Sequence, residues 1–458
     1  MGKLAILHTN DLHSHFESWY KIKKLFNERK AQLEKEGYHV IVVDVGDFSD
    51  RVHPLTEATN MLYNIKQMNE LYDYVTFGNN EGIGNTKEQL LQLYEAFHGK
   101  CVMSHCIDIN TKQRPDCFSP MVTFTLDSGE TIGLMGGTAL YPKSYFPLGW
   151  DLKEAIPCFQ WLYHQYKSSV DHFILLSHFG KYTDKEIAEA CPFFDVIIGG
   201  HTHHLYEYGK WINGVLLTSC QKHGHYCGEI TMDLSEQHYE AKTYAMDHYL
   251  LDEEETEKVM AEIEEGHCLL RKKQVGVCDE ELSSMALLYG TAKTLSSHYH
   301  LPVLLHDGLF VEPLKKGEVT LDDWHRILPH PLHLATVRLD GENMKRLLFE
   351  IDKNRHFLNH FHLVGMGFRG KYFGQILFDG VEKINGQWFV QGHPLQAEET
   401  YTFLTLDHYE FVPFFPTIAY AGKTSYIMDG FFRNKIASLT DEIVTYGKEF
   451  YDGRREKN

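Results

Sequence analysis

The sequence predicts an α/β protein, and two observations support this fold class. In the first half of the chain, short apolar runs typical of buried strands alternate with longer stretches of helical periodicity. Strands that alternate with helices in this way form layers of sheet and helix around an apolar core. Beyond residue 250 the chain has a separate set of strand and helix patterns, rich in aromatic residues, which predicts a second unit.

Each predicted strand of the first half is a short run dominated by Val, Ile, Leu or Phe, the composition expected for strands covered on both faces. Between the first two strands, Trp19, Ile22 and Phe26 recur on one helical face. Leu33 continues this face, and Gly37 would end the helix. The predicted strands occupy residues 4–7, 40–45, 74–77, 131–137, 173–177, 195–200 and 214–219.

An acidic stretch, "LDEEETEKVMAEIEE" at residues 251–265, predicts a helix with only one thin apolar stripe. A helix that is polar on most of its surface is suited to bridging two domains. We therefore expect a first domain over residues 1–250, a linker helix over 251–275 and a second domain over 276–458.

The chain of 458 residues has 44 Lys and Arg against 63 Asp and Glu, so its formal net charge is −19. A surface this acidic repels DNA and RNA, but it still permits a small phosphorylated molecule to bind through metal ions. Nine scattered cysteines without a C-x-x-C pair indicate reduced thiols and predict a cytoplasmic location. The first residues lack the apolar core of a signal peptide, and no apolar run approaches ~18 residues, so we expect no membrane association.

Side chains that can bind metal ions directly follow five of the predicted strands. The carboxyl ends of strands in an open α/β sheet face one crevice, so these side chains are expected to converge. The chain has 29 histidines, so any one histidine is weak support for a metal site. The stronger support is that five strands end in Asp, His or Asn, with no Lys or Arg among these residues. The candidate ligands are Asp11, His13, Asp47, Asn79, His178, His201 and His203.

The mixture of carboxylate, amide and imidazole groups indicates the kind of metal. Nitrogen and oxygen donors together suit Mn, Zn, Fe, Ni or Co, whereas a site for Mg or Ca alone would use oxygen donors. Seven protein ligands are too many for one ion and suit two. Two ions ~3.5–4 Å apart can polarise a phosphoryl oxygen, activate a water molecule and stabilise both ends of an in-line displacement. The pattern therefore predicts a two-metal site, and phosphoryl transfer to water is one reaction that such a site suits.

Four segments of the first half resemble the calcineurin-like metallophosphoesterases, and specifically their 5′-nucleotidase branch: "ILHTNDLHSHFE", "VVDVGDFSD", "TFGNNEG" and "LLSHFGKYTDKEIAEACPFFDVIIGGHTHH". The segment "KGEVTLDDWHRILPHPLHLATVRLDGENMKRLL" is similar to the C-terminal domain of that branch. The resemblance implies a four-layer N-terminal β-sandwich flanked by helices and a C-terminal α/β substrate-binding domain. It also implies an enzyme that releases phosphate from nucleotides by in-line attack of a metal-bound hydroxide.

The same resemblance assigns each candidate ligand to one of two divalent ions, expected to be manganese, zinc or iron. Asp47 would bridge the two ions. The substrate would be a nucleotide or a related small phosphoester. One ion would be held by Asp11, His13 and His203, and the other by Asn79, His178 and His201.

Position 80 departs from the family pattern. The family usually has Gly-Asn-His-Glu where this chain has Gly-Asn-Asn-Glu, so Asn80 occupies the place of a histidine that faces the substrate phosphate. An amide donates a hydrogen bond but carries no positive charge and releases no useful proton. We expect slower catalysis, a substrate with a better leaving group, or a substitute such as His204, His223 or His225.

The C-terminal domain of the family stacks the nucleobase between two aromatic rings, which by pattern would be Phe373 and Phe415 here. The family often has an arginine-containing loop that holds the substrate, and this chain has "HDGLFVEPL" instead. Asp307 and Gly308 of this loop are candidate substrate contacts, and Arg369 is a candidate source of the missing positive charge.

Two other functions remain open from the sequence. Asn80 and the altered loop are compatible with a phosphodiesterase or pyrophosphatase that acts on cyclic nucleotides or nucleotide-sugars. They are also compatible with a protein that binds nucleotides without hydrolysing them. The sequence does not predict the oligomeric state.

Overall fold

The structure, a computed structural model, describes residues 2–363 and 367–455. The chain divides into two compact units, Met1–Gly266 and His267–Asn458. Both units contain sheets and helices, in agreement with the predicted α/β class.

The N-terminal unit contains two large sheets whose central strands run parallel. In spatial order, the first sheet consists of His238–Ala245, Tyr226–Asp233, Lys3–Thr9, His39–Asp44, Tyr74–Val75, Lys100–Val102 and Phe118–Ser119. The second sheet consists of Lys210–Ile212, Val215–Thr218, Phe194–Gly199, His172–His178, Thr131–Thr138 and Met121–Thr125. A small additional sheet pairs Cys106–Asp108 with Trp150–Leu152.

The two large sheets pack face to face. Side chains that alternate along the strands, such as Ile6, Val43, Ile174 and Ile198, form one buried apolar cluster between the sheets. The opposite face of the second sheet packs against helices through a separate cluster that includes Phe159. The first helix packs against the first sheet. The unit therefore has the layer order helix, sheet, sheet, helix.

The helices of this unit connect and cover the strands. The first of them buries Trp19, Ile22, Phe26 and Leu33, the residues whose spacing predicted it. The helices are Phe16–Lys35, Pro54–Ala58, Leu62–Met68, Asn79–Ile83, Lys87–Glu95, Pro142–Tyr145, Ala155–Tyr166 and Lys181–Ala190, with a 3₁₀ turn at Met246–His248.

The C-terminal unit is built around a five-stranded sheet with its own apolar core. In spatial order this sheet consists of Ile376–Asp379, Val303–His306, Thr400–Leu406, Leu334–Asp340 and Lys423–Ile427. Smaller sheets are formed by Gln274–Cys278 with Gly317–Thr320, and by Val381–Ile384, Gln387–Val390 and His393–Pro394. Its helices are Ser284–Tyr299, Leu321–Ile327, Gly341–Leu358, Pro416–Ala421, Phe432–Ser438 and Thr440–Arg455, with 3₁₀ turns at Asp307–Leu309 and Asp407–Glu410.

The acidic stretch predicted as a helix over 251–265 is helical over Glu253–Arg271. This helix extends across the division between the two units. All nine cysteines are free thiols. None of the helices in the described part of the chain has both the length and the apolar character that crossing a bilayer requires.

Candidate metal centre

Four candidate ligands come from the first sheet of the N-terminal unit, and one of them is His13, in the loop after Lys3–Thr9. Asp11 follows Lys3–Thr9, Asp47 follows His39–Asp44, and Asn79 follows Tyr74–Val75. The first two strands pair in parallel, as do the second and third, so their carboxyl ends lie at the same edge. The three loops therefore leave the sheet side by side, as the strand-end pattern predicted.

The second sheet supplies the other three candidate ligands, which are all histidines. His178 is the last residue of His172–His178, and His201 and His203 follow the neighbouring parallel strand Phe194–Gly199. Because the sheets pack face to face, this edge faces the loops of the first sheet, and the main-chain N–H of His201 donates to the Asp11 carboxylate at 2.9 Å.

The backbone at the site is strained. Asp11, His13, Asp47, His201 and His203 all have positive φ angles, between 51° and 72°. A residue with a side chain in this left-handed region costs on the order of 1–3 kcal/mol and persists only where surrounding structure holds it. Five such residues among seven candidate ligands indicate a site shaped for function rather than for stability.

Glycine at position 78 allows two ligand loops to touch. A β-carbon placed on Gly78 would lie 2.1 Å from Oδ1 of Asp47 and 2.4 Å from its main-chain nitrogen. The main-chain N–H of Asn80 also donates to Oδ1 of Asp47 at 2.7 Å. Close contact between these loops brings Asp47 and Asn79 into one site.

The side chains of Asp11, His13 and His203 form the first group of possible ligand atoms. The Nε2 atoms of His13 and His203 are 3.2 Å apart. Oδ1 of Asp11 lies 3.8 Å from Nε2 of His13 and 3.4 Å from Nε2 of His203. These are the three residues that the family resemblance assigned to one ion.

Asp11, Asp47 and His178 form a second group. Nε2 of His178 lies 3.4 Å from Oδ1 of Asp47, 4.0 Å from Oδ1 of Asp11 and 3.3 Å from Oδ1 of Asn79. The other oxygen of Asp47, Oδ2, is 4.0 Å from Nε2 of His13. Asp47 thus presents one oxygen to each group, which is the arrangement a bridging ligand needs.

His201 lies beside these groups rather than within them. Its ring centroid is 5.2 Å from that of His178. Its Nε2 is 2.9 Å from the hydroxyl of Tyr141, so this nitrogen is already engaged in a hydrogen bond. The nitrogen left for a metal ion is Nδ1, and a hydrogen bond on the opposite nitrogen fixes the orientation of a ligating histidine.

The separations between the donor atoms fit bound metal ions. Two ligands of one Zn-type ion, each ~2.0–2.2 Å from it, lie roughly 3.0–3.5 Å apart at tetrahedral or octahedral angles. Several donor pairs have separations in or close to this range, including His13–His203, His203–Asp11, His178–Asn79 and His178–Asp47. The carboxylate, amide and imidazole donors also suit Mn, Zn or Fe.

The charges at the site favour cations. Burial alone would lower the pKa of His178, but the carboxylates of Asp47 and Asp11 raise it to about 10. Burial alone would raise the pKa of Asp47, but His178 and His13 hold it well below its usual range. The two buried carboxylates are therefore anionic and attract positive charge, which metal ions can supply.

The chain matches a known family over its N-terminal unit and a curated relative over nearly its whole length. Residues 4–205 match the family model of the calcineurin-like phosphoesterases. YunD of Bacillus subtilis (strain 168), described as an uncharacterized metallophosphoesterase, is 32% identical over 460 residues, covering 95% of this chain and 98% of YunD. The chain belongs to the calcineurin-like metallophosphoesterases.

Two solved structures share the fold of this metallophosphoesterase. The Haemophilus influenzae NAD nucleotidase superposes with a TM-score of 0.62 at 17% identity, covering 98% of this chain and 96% of that chain. A 5′-nucleotidase precursor from Thermus thermophilus superposes with a TM-score of 0.58 at 18% identity, again covering 98% and 96%. The predicted combination of an N-terminal sandwich with a C-terminal α/β domain is confirmed at the level of the fold.

Asn80, the residue that replaces the family histidine, has its side chain engaged within this metallophosphoesterase. Its Nδ2 lies 2.8 Å from the main-chain oxygen of Ser49 and 3.0 Å from Nδ1 of His13. Its Oδ1 is 3.3 Å from Nδ2 of Asn79. The amide links the loop of Asp47 to the neighbouring ligands, a structural role that the sequence did not predict.

The sequence analysis also missed the contribution of Glu81. Its buried carboxylate accepts hydrogen bonds from the main-chain N–H groups of Asp47 and Gly78, both at 3.0 Å, and of Ser49 at 2.8 Å. It therefore ties the loop of Asp47 to the start of Asn79–Ile83. The available signal was the glutamate three residues after Gly78, because a glutamate at this spacing caps the beginning of a helix.

The three histidines considered as substitutes for the family histidine occupy different positions. The ring of His223 meets that of His13 edge-on, with centroids 5.6 Å apart, and stacks on His15 at 4.0 Å. Nδ1 of His204 is 2.9 Å from the hydroxyl of Thr202, and the ring of His225 lies 5.9 Å from that of His223. Of the three, the structure places His223 in ring contact with a candidate ligand.

The predicted base-stacking pair does not form a slot. Phe373 and Phe415 are fully buried, and their ring centroids are 5.9 Å apart with the planes tilted by 43°. A base stacked between two rings needs them parallel and roughly 7 Å apart, about 3.5 Å on each side. His306 instead stacks on Phe373 at 3.9 Å, so this ring belongs to the apolar core of the C-terminal unit. In this structure the two rings pack against each other, and a role for them in binding a base stays a prediction.

The other predicted substrate contacts also have structural roles. Oδ1 of Asp307 accepts a hydrogen bond from the main-chain N–H of Gln375 at 2.7 Å. Gly308 packs so closely that a β-carbon would lie 2.0 Å from the main-chain oxygen of Tyr372. Arg369 is exposed, and its main-chain N–H donates to Nδ1 of His330 at 2.9 Å.

Proposed function

We propose that this metallophosphoesterase is a two-metal phosphohydrolase that releases phosphate from nucleotides. The observation that carries the proposal is the position of Asp47, whose Oδ1 lies toward His178 and whose Oδ2 lies toward His13, in two groups of ligand atoms that share Asp11. A single structural ion would not require a carboxylate directed both ways. Phosphoester hydrolysis is the chemistry for which paired divalent ions are suited.

Two ions would be held by Asp11, His13 and His203 and by Asn79, His178 and His201, with Asp47 shared. When bound, manganese, zinc or iron ions supply Lewis acidity toward a phosphoryl oxygen and make a nucleophile available at neutral pH.

The residues around the ligands keep them in position. Glu81 holds the loop of Asp47 through three main-chain hydrogen bonds. The hydroxyl of Tyr141 occupies Nε2 of His201 and leaves Nδ1 as the free nitrogen of that ring. Positioning of this kind reduces the reorganisation that would otherwise accompany substrate binding.

Asn80 favours substrates with a good leaving group. Its side chain is bonded to Ser49 and has no acidic proton, so protonation of a poor leaving group by this residue is excluded. A nucleotide whose scissile bond is to an acidic oxygen, as in a pyrophosphate or an aryl ester, needs no such proton. This argument supports the pyrophosphatase form of the second candidate function, with nucleotide-sugars as substrates. Its phosphodiesterase form, on cyclic nucleotides, expels a ribose hydroxyl and is not favoured by Asn80.

The test combines metal analysis with a substrate panel. Purified protein is loaded with Mn²⁺, its metal content is measured by mass spectrometry, and hydrolysis of nucleoside monophosphates, cyclic nucleotides and nucleotide-sugars is assayed. We expect about two ions per chain and phosphate release from monophosphates.

The matched variants are Asp47→Ala, which removes the shared carboxylate, and Asp127→Ala, which removes an exposed carboxylate in a distant turn. Asp47→Ala should abolish hydrolysis, and Asp127→Ala should retain it. Turnover of diesters far above that of monoesters would favour the second candidate. Metal binding without hydrolysis of any substrate would leave a nucleotide-binding protein and overturn the proposal.

A further inference from the structure

A pocket of about 500 Å³ opens beside the candidate metal centre, within the N-terminal unit. It lies where strand Thr131–Thr138 ends and where helices Ala155–Tyr166 and Lys181–Ala190 begin. Its volume is in the range of pockets that bind small molecules. None of the predicted substrate-binding residues lines it.

The pocket shares a wall with the metal centre. Tyr141 and His201 both line it, and the Tyr141 hydroxyl is 2.9 Å from Nε2 of His201. The main chain of His201 is bonded to the Asp11 carboxylate, and its ring lies beside that of His178. The pocket is therefore within reach of the organic part of a phosphoester whose phosphate lies at the ligand groups.

The lining combines apolar surface with negative charge. Leu140 and Phe179 are among the apolar residues of its walls, and Glu154 and Glu186 are its charged residues. The lining contains neither Lys nor Arg. Within the described part of the chain, neither carboxylate takes part in an ion pair, so both are available to a ligand.

This chemistry selects among possible organic groups. Two unpaired carboxylates repel an anionic group, such as a second phosphate, and attract a cation or accept hydrogen bonds from an amine. The apolar walls and the ring of Tyr141 favour a ligand with an apolar or aromatic surface. A cationic group of the ligand can also bind over the face of the tyrosine ring. The buried contact between Phe373 and Phe415 leaves no slot for such a group between those rings.

We propose that this pocket binds the organic part of the substrate and prefers a group that carries an amine or another cationic nitrogen on an apolar or aromatic body. The proposal rests on the proposed function, because it assumes that the phosphate is hydrolysed at the adjacent metal centre. It narrows the substrate class to phosphoesters with a cationic or amine-bearing organic part and disfavours those with a second anionic group there.

Three aryl phosphates that differ only in the para substituent provide the test: 4-(aminomethyl)phenyl, 4-methylphenyl and 4-carboxyphenyl phosphate. The kcat/KM of each is measured for the Mn²⁺-loaded full chain and for a variant that combines Glu154→Gln with Glu186→Gln. Intrinsic differences between the leaving groups cancel when the ratio of the cationic to the anionic substrate is compared between the two proteins. We expect this ratio to fall by about ten-fold or more in the double variant, because two charges close to the ligand are removed.

Two further variants make the outcome decisive. Glu186→Lys should shift the preference toward the 4-carboxyphenyl substrate, because it reverses one charge. Glu189→Gln is the matched control, since Glu189 lies on the same helix, is exposed and pairs with Lys185 outside the pocket. It should keep the wild-type ratio.

The same ratio in wild type and in both pocket variants would overturn the pocket proposal. Phosphate release from nucleoside monophosphates in the separate panel would still uphold the proposed function in that case. Absence of hydrolysis of every ester, together with the nucleotide panel, would overturn both.

Discussion

The buried imidazole of His105 should make the free energy of unfolding of this protein fall as the pH is lowered. Its Nδ1–H donates to the main-chain oxygen of Lys153 at 2.8 Å, and its Nε2 accepts from the main-chain N–H of Thr138 at 3.0 Å. The two bonds form together only with the neutral ring, since protonated Nε2 can no longer accept from the Thr138 N–H. The folded protein therefore resists protonation of this histidine.

The size of the effect follows from linkage. Burial lowers the pKa of His105 from 6.5 to about 4. The unfolded chain takes up the proton as pH falls through 6.5, whereas the folded chain does so only near pH 4. The stabilising contribution is thus complete above pH 6.5 and is lost as pH falls toward 4. Between about pH 7 and about pH 5 the loss in free energy of unfolding is about 2 kcal/mol.

The assay is urea unfolding at about pH 7 and about pH 5, in EDTA so that pH-dependent metal release does not contribute. His105→Gln removes the titrating ring, and its loss of stability on acidification should be smaller than that of the wild type by about 2 kcal/mol. His164→Gln controls for removal of an exposed imidazole from a helix of the same unit. A His105→Gln variant that loses as much stability as the wild type would refute the reasoning.

Three further predictions concern the metal loops and the sandwich. Asn80→His should raise kcat on nucleoside monophosphates by about ten-fold or more, because it adds a chargeable donor of a kind worth on the order of 10²-fold in other enzymes; equal or lower turnover would mean that the site has adapted to asparagine. Gly78→Ala should lower the metal content of dialysed protein, because the new β-carbon would lie 2.1 Å from Oδ1 of Asp47; mass spectrometry that finds wild-type content would contradict this. Glu229→Gln should lower the free energy of unfolding by about 2–4 kcal/mol, because Arg29 loses the buried anion with which it pairs. Two nitrogens of Arg29 lie 2.7 and 2.8 Å from the Glu229 oxygens. A loss below about 1 kcal/mol in urea titration would argue against this prediction.

The strand pattern was predictable because it depends on local composition. The predicted strand over 173–177 is observed as His172–His178, and the one over 195–200 as Phe194–Gly199. The predicted strand over 74–77 is shorter, Tyr74–Val75, because the following residues turn into the loop that contacts Asp47. Loop contacts with distant residues override the local apolar run there.

The aromatic residues of the C-terminal unit illustrate the opposite case. Phe373 and Phe415 have the residue type that binds bases, and the same residue type fills apolar cores. The sequence contains no signal that separates these two uses, since burial depends on which elements pack around each ring. The structure assigns both rings to the core.

The sequence by itself located seven strands of the N-terminal unit and the candidate ligands that follow five of them, because both are local features of the chain. It did not locate other strands, such as Tyr226–Asp233 and His238–Ala245 of the first sheet. Only the tertiary structure decided that Glu81 binds the loop of Asp47, that Tyr141 engages His201 and that a pocket with two unpaired carboxylates lies beside them. These contacts join residues far apart in the chain, and their distances are set by how the two sheets and their loops pack together.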